Sequence, residues 1–145
     1  MKEIIENSRY KFRAWVNNSF MGWVTEISTL NQYAIVTLDN DNDNNDTYCH
    51  GKSFRFSQIE LMQYTGLKDK NGTEIYEGDI LRVEHYRDSK SKMNYIYKLV
   101  VWREDIAQWY FLSSDGESQN QLHVLLGSSE CDVIGNIHEN PELLK

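Results

Sequence analysis

The side chains with most chemistry in this chain are its carboxylates, histidines and cysteines, and their spacing decides what chemistry is open to it. Glu74, Glu77 and Asp79 crowd around Gly78. Hydrolysis by paired carboxylates needs two such groups across a cleft, or a metal ion held between them. A glycine turn supplies the groups without the cleft. Asp79 has a simpler use there, because a carboxylate just after Gly78 can accept backbone N–H bonds and hold the turn. Asp39, Asp41 and Asp43 fall at alternate positions, as at the start of a calcium loop. The position that requires glycine holds Asn44, however, and the position of the bidentate glutamate holds His50. The run Asp39–Asp46 therefore reads as a solvated polar loop.

His50 follows Cys49, but neighbours on a strand point to opposite faces, so they do not form a nucleophile–base pair. The four histidines, His50, His85, His123 and His138, lack metal-ligand spacing, and Cys49 and Cys131 form no CxxC. The segment "TGLKDKNG" has glycines but neither the strand–loop–helix setting nor the GK[ST] ending of a phosphate loop. No catalytic residue, cofactor or metal ligand is expected, and the chain reads as a non-enzyme. One stretch suits nucleic acid better: Arg82, Arg87, Lys90, Lys92 and Lys98 interleave with Tyr86, Tyr95 and Tyr97. Cations there could follow a phosphate backbone while tyrosines such as Tyr95 stack on bases. The formal net charge of -7 opposes it, because such binding runs on neutralised phosphates. Nucleic acid is thus a disfavoured partner, and an anionic membrane surface is disfavoured for the same reason.

The elements that must carry these residues are mostly strands. "KFRAWV" alternates, with Phe12, Ala14 and Val16 on one face and Lys11, Arg13 and Trp15 on the other. A turn at "NNS" leads to "MGWVTEISTL" and "YAIVTLD", two β-branched, aromatic runs joined tightly at Asn31-Gln32. Ser57 and Glu60 have capping-box spacing, which predicts a helical turn at Ser57 running into extended chain at "LMQYT". Asn71-Gly72 is a strong hairpin signal, with both residues expected at positive φ. Gly78-Asp79 turns the chain into "ILRVEHY", whose apolar side is set by Leu81 and Val83. "YIYKLVVWRED" and "QWYFLSS" form a second hairpin around Asp105–Ala107. "LHVLLG" is a short strand or helical turn. "DVIGNIHE" is a last strand interrupted at Gly135, and "NPELL" starts a helical turn capped by Asn140 with Pro141 at its first position. The structural turn motif is therefore Gly66, Asn71, Gly72, Gly78 and Asp79.

The N-terminus lacks the apolar core of a signal peptide, and no run approaches the ~20 apolar residues that span a bilayer. Reduced thiols and a cytoplasmic setting are expected, with a Cys49–Cys131 disulfide as the alternative.

Three segments, "YKFRAW", "LMQYTGLKDKNGTEIYEGDIL" and "VIGNIHENPELL", resemble the YopX family of phage and prophage proteins in sequence and in order. The middle segment is long and specific, and the likeness spans nearly the whole chain. Many short strands with close turns suggest a small barrel or sandwich. Residues 63–145 have the length and strand count of an SH3-like barrel, packed with a β-meander over residues 1–62 and a few short helical turns in one compact unit. The resemblance implies a mainly β protein with an SH3-like barrel portion. The resemblance also implies a protein encoded by a phage or prophage that assembles into homo-oligomers. It supplies no catalytic residue. The reading is a self-associating interaction module with host or phage protein partners; the alternative is a nucleic-acid-binding barrel using Arg82, Arg87, Lys90, Lys92 and Tyr95.

Overall fold

The computed structural model describes residues 10–37, 51–85, 94–113, 119–121 and 131–145. The chain is mainly β and divides into two compact units, Met1–Tyr64 and Thr65–Lys145. No described helix is long and apolar enough to cross a membrane.

The first unit is built on β1 (Phe12–Val16), β2 (Phe20–Ser28), β3 (Tyr33–Thr37), β4 (Lys52–Arg55) and the start of β5 (Ile59–Lys68), in the spatial order β4-β3-β2-β1-β5. All these pairings are antiparallel. The expected alternation in β1 holds: Ala14 and Val16 are sealed while Arg13 and Trp15 are only half-buried. Ala14, Val16, Ala34 and Val36 form the core, with Phe20, Val24, Phe54, Phe56, Ile59 and Leu61 packed around it. The "NNS" turn is real. Asn17 and Asn18 both take positive φ, 49° and 54°, and the Ser19 N–H donates to the Val16 carbonyl at 2.9 Å. Asparagine tolerates that region better than most residues, and such a turn matches the twist of the paired strands.

A one-turn 3-10 helix at Phe56–Gln58 precedes β5, as the capping signal suggested, but the capping pair differs. The Arg55 N–H donates to the Gln58 side-chain oxygen at 2.9 Å, in place of the Ser57–Glu60 pair. The turn begins at Phe56, so Arg55 takes the capping position and Gln58 the third helical position.

The second unit holds the end of β5, then β6 (Glu74–Tyr76), β7 (Asp79–His85), β8 (Asn94–Arg103), β9 (Gln108–Ser113), β10 (Gln119–Gln121) and β11 (Cys131–Asn136). Five strands form an antiparallel sheet in the order β10-β9-β8-β7-β11, and β6 pairs with β5. Register places Leu81 opposite Lys98, Val83 opposite Ile96 and Val100 opposite Phe111 on one face. That face packs with Ile75 and Leu67 from the β5–β6 hairpin, and with Cys131, Trp109 and Val133. The interruption expected at Gly135 is a register shift between Val133 and Gly135.

Three expectations need correction. The SH3-like barrel does not close among the described residues: β10 and β11 are opposite edges of one sheet. Counting strands cannot settle closure, which depends on which edges pair and with what stagger. Asn71 is not at positive φ; only Gly72 is, at 83°. The Gly72 N–H donates to the Asp69 carbonyl at 3.0 Å and the Asp69 N–H to the Thr73 carbonyl at 2.9 Å. The hairpin is therefore the longer kind, a turn over Lys70-Asn71 followed by a left-handed glycine. Finally, "NPELL" is a 3-10 turn at Pro141–Leu144 that follows Asn140, but the Asn140 side chain makes no capping bond.

The Asp39–Asp46 loop, Cys49, His50, Arg87, Lys90, Lys92, His123 and the "LHVLLG" segment lie outside the described residues.

Candidate functional site

The middle motif gathers a polar cluster in the second unit. Asp69 sits at the head of the β5–β6 turn. One carboxylate oxygen accepts the N–H groups of Asn71 at 2.8 Å and Thr73 at 2.9 Å; the other accepts the N–H of Val133 at 3.0 Å. The first two bonds shape the turn and the third ties it to β11. Burial pushes the Asp69 carboxyl up, but the donors from Val133, Thr73 and Asn71 outweigh it and hold it below the ordinary value.

Asp132 of β11 completes the cluster. It accepts from the Asn71 amide at 2.9 Å and from the Arg82 guanidinium at 2.9 Å, and Lys70 approaches it at 3.3 Å. The Arg82 bond is the main reason its pKa is lowered, burial opposing. Arg82 also lies over the Tyr95 ring, 5.0 Å from the centroid, so its charge is already answered by a carboxylate and a π-face.

Cys131, the neighbour of Asp132, is a buried free thiol. Burial, with the nearby Asp69 and Asp132 charges, pushes it up to about 11. A thiol so disfavoured as thiolate is inert.

Asp79 is fully buried and accepts the Tyr76 N–H at 2.8 Å, spanning the Glu77-Gly78 turn. Gly78 has φ 77°, donates its N–H to the Val100 carbonyl at 2.9 Å and accepts from Ile137 at 2.8 Å. Only a residue at ease with positive φ can pass the chain through that point. Gly66, within β5, has φ 85°. Glu74 takes the Tyr76 hydroxyl at 2.8 Å. Glu74 and Asp79 are thus engaged with Tyr76. No three of His, Cys, Asp and Glu among the described residues are placed to hold a metal ion.

The structure brings Arg82, Tyr95, Asn71 and Gly72 toward one cluster, and it reveals Asp69 and Asp132 as the members that organise it. Asp69 had a signal in the sequence, since aspartate two residues before Asn-Gly commonly folds back on the turn. Asp132 had none: it meets Arg82 through strand register, 50 residues away.

A second feature of this unit is apolar. Trp102 and Trp109 face each other across β8 and β9 with centroids 4.9 Å apart and planes at 64°, an edge-to-face pair. They line a groove of about 320 Å³ with Thr65, Leu67, Ala107 and Gln108. Trp102 is 40% exposed, and Ile106 in the β8–β9 turn is 42% exposed.

Comparison with curated proteins gives no match. Among solved structures, the crystal structure of protein EF1440 from Enterococcus faecalis is similar, with a TM-score of 0.60 and 28% identity over 93% of this chain and 97% of that one. Residues 11–145 match the family described as YopX protein, and on that near-complete match the chain belongs to the YopX family.

Proposed function

We propose that this chain is a non-enzymatic, self-associating interaction module of phage or prophage origin, acting in the host cytoplasm. The observation that carries the reading is the groove beside Trp102 and Trp109. Large exposed aromatics next to an apolar recess are the usual anchors of protein interfaces. None of the groove's lining residues is charged, in a chain with net charge -7. Two copies repel each other least through such a patch. The polar cluster supports the same reading from the other side, because its carboxylates are used up in holding turns and β11.

Nucleic acid is the weaker reading. Arg82 is engaged by Asp132 and Tyr95, and Arg87, Lys90 and Lys92 lie outside the described residues.

Light scattering on the full chain during size exclusion tests the proposal. A dimer or larger species is expected at tens of micromolar. Trp102→Glu should weaken association by at least about 30-fold, the effect of losing one interface hot spot. A monomer at every accessible concentration, or association indifferent to Trp102→Glu and Ile106→Glu, would sink it.

A further inference from the structure

The first unit carries an open surface recess that the interaction reading does not use; Asn17, Asn18, Ser57, Gln58 and Glu60 on its rim are exposed. It has a volume of about 350 Å³ and is lined by Trp15, Asn17, Asn18, Ser57, Gln58, Ile59 and Glu60. Trp15 and Glu60 are direct cross-strand partners on β1 and β5, so they share a face of the sheet. The two asparagines come from the β1–β2 turn, and Ser57 and Gln58 from the 3-10 turn before β5. The Asn17 N–H donates to the Gln58 carbonyl at 2.8 Å, which locks one turn against the other. The frame is thus held by backbone bonds. Among the described residues, the side chains of Asn17, Asn18 and Ser57 make no hydrogen bond, and Gln58 uses only its oxygen, on Arg55.

The chemistry of that lining is selective. The lining holds no cation, so phosphate and carboxylate ligands find no counter-charge within it. Primary amides and a hydroxyl both donate and accept hydrogen bonds, while a carboxylate only accepts. A ligand dense in hydroxyl groups satisfies all of them together. The indole adds an apolar wall whose negative face attracts the slightly positive C–H edge of a saturated ring. The volume lies at the small end of ligand sites. We infer that this recess binds a neutral pyranose sugar, with Trp15 as the stacking wall and Asn17, Asn18, Ser57 and Gln58 meeting its hydroxyls. The inference is independent of self-association, which was assigned to the other unit.

The turn provides a clean test. Glycine takes positive φ more readily than asparagine, so Asn17→Gly with Asn18→Gly removes both amides while keeping the turn. The full-length, 15N-labelled protein is titrated with glucose, galactose and N-acetylglucosamine, with glycerol as a hydroxyl control. Saturable shifts of the Trp15 indole N–H and of the Asn17, Asn18 and Gln58 side-chain amides are expected, with a millimolar dissociation constant. The double glycine variant should keep its melting temperature and bind about five-fold or more weakly. Absence of saturable shifts with any of the three sugars, equal shifts with glycerol, or unchanged affinity in the variant would overturn the assignment.

Discussion

The two units solve the same problem, holding a small antiparallel sheet in register, by different means. In the first, most order comes from neighbours in sequence. Asn17-Asn18 closes β1 onto β2, Gln32 at φ 53° helps close β2 onto β3, and only β5 returns from a distance to β1. In the second, side chains of one turn reach across the unit. Asp69 takes an N–H 64 residues away, Asn71 meets Asp132 61 residues away, and Arg82 reaches the same aspartate over 50. The difference explains why the longest sequence signature of the chain lies in the second unit. A turn that only has to turn accepts many residues, whereas one that must also dock on a distant strand accepts few.

Removing Asp69 should give the largest effect. Asp69→Ala leaves the donors on Asn71, Thr73 and Val133 without their acceptor, and a loss of about 3 kcal/mol is expected. Denaturant unfolding followed by tryptophan fluorescence measures the loss, and amide exchange locates it. If the Thr73 and Val133 amides stay as protected as in the parent, the clasp does not hold the unit together and the contrast fails.

Acid should come next. Asp69 and Asp132 both have folded pKa values below their ordinary 3.8. The unfolded chain therefore takes up protons first. Their contribution is complete above the ordinary value and is lost as pH falls through it toward the lower folded values. Asp132→Asn should flatten that acid limb, and an acid limb unchanged by the substitution would show that other carboxylates set it. On the alkaline side the Cys131 thiol, raised from 9.0 to about 11, acts in the opposite direction. Its contribution is complete below 9.0 and disappears as pH rises to about 11. Cys131→Ala removes this alkaline loss, at the expense of some packing.

A smaller effect is expected at Gly72. An added Cβ there meets nothing within 4 Å, so the cost of Gly72→Ala is conformational alone, about 1 kcal/mol. Gly72→Asn should recover part of it, and equal losses for both variants would argue against a strained turn. The smallest effect belongs to the first unit. Asn17→Gly should shift stability by no more than about 0.5 kcal/mol, and a loss as large as that of Asp69→Ala would erase the distinction between the two regions.

Much of the fold could be read ahead because strands announce themselves locally. The alternation of β1, the turn at Asn17-Asn18, the hairpin at Asp105–Ala107 and the interruption near Gly135 depend on residues a few positions apart. The turn at Asn71-Gly72 departs from the two-residue Asn-Gly form because Asp69, not Asn71, dictates its path. The polar cluster was half visible: Asn71-Gly72 signalled a turn, but nothing near Asp132 pointed to Arg82 or Lys70. The Trp102–Trp109 groove was hidden for a similar reason, since spaced tryptophans give no hint of which pair will meet across a register.

From the linear chain alone came the β character, the places where it turns and the family it belongs to, because backbone preference and side-chain alternation act over a few residues. Whether the strands close into a barrel, which carboxylates are spent on backbone donors and where aromatic surface is left open were settled only on folding. Those features depend on pairings between residues fifty or more positions apart, and only strand register selects such pairings.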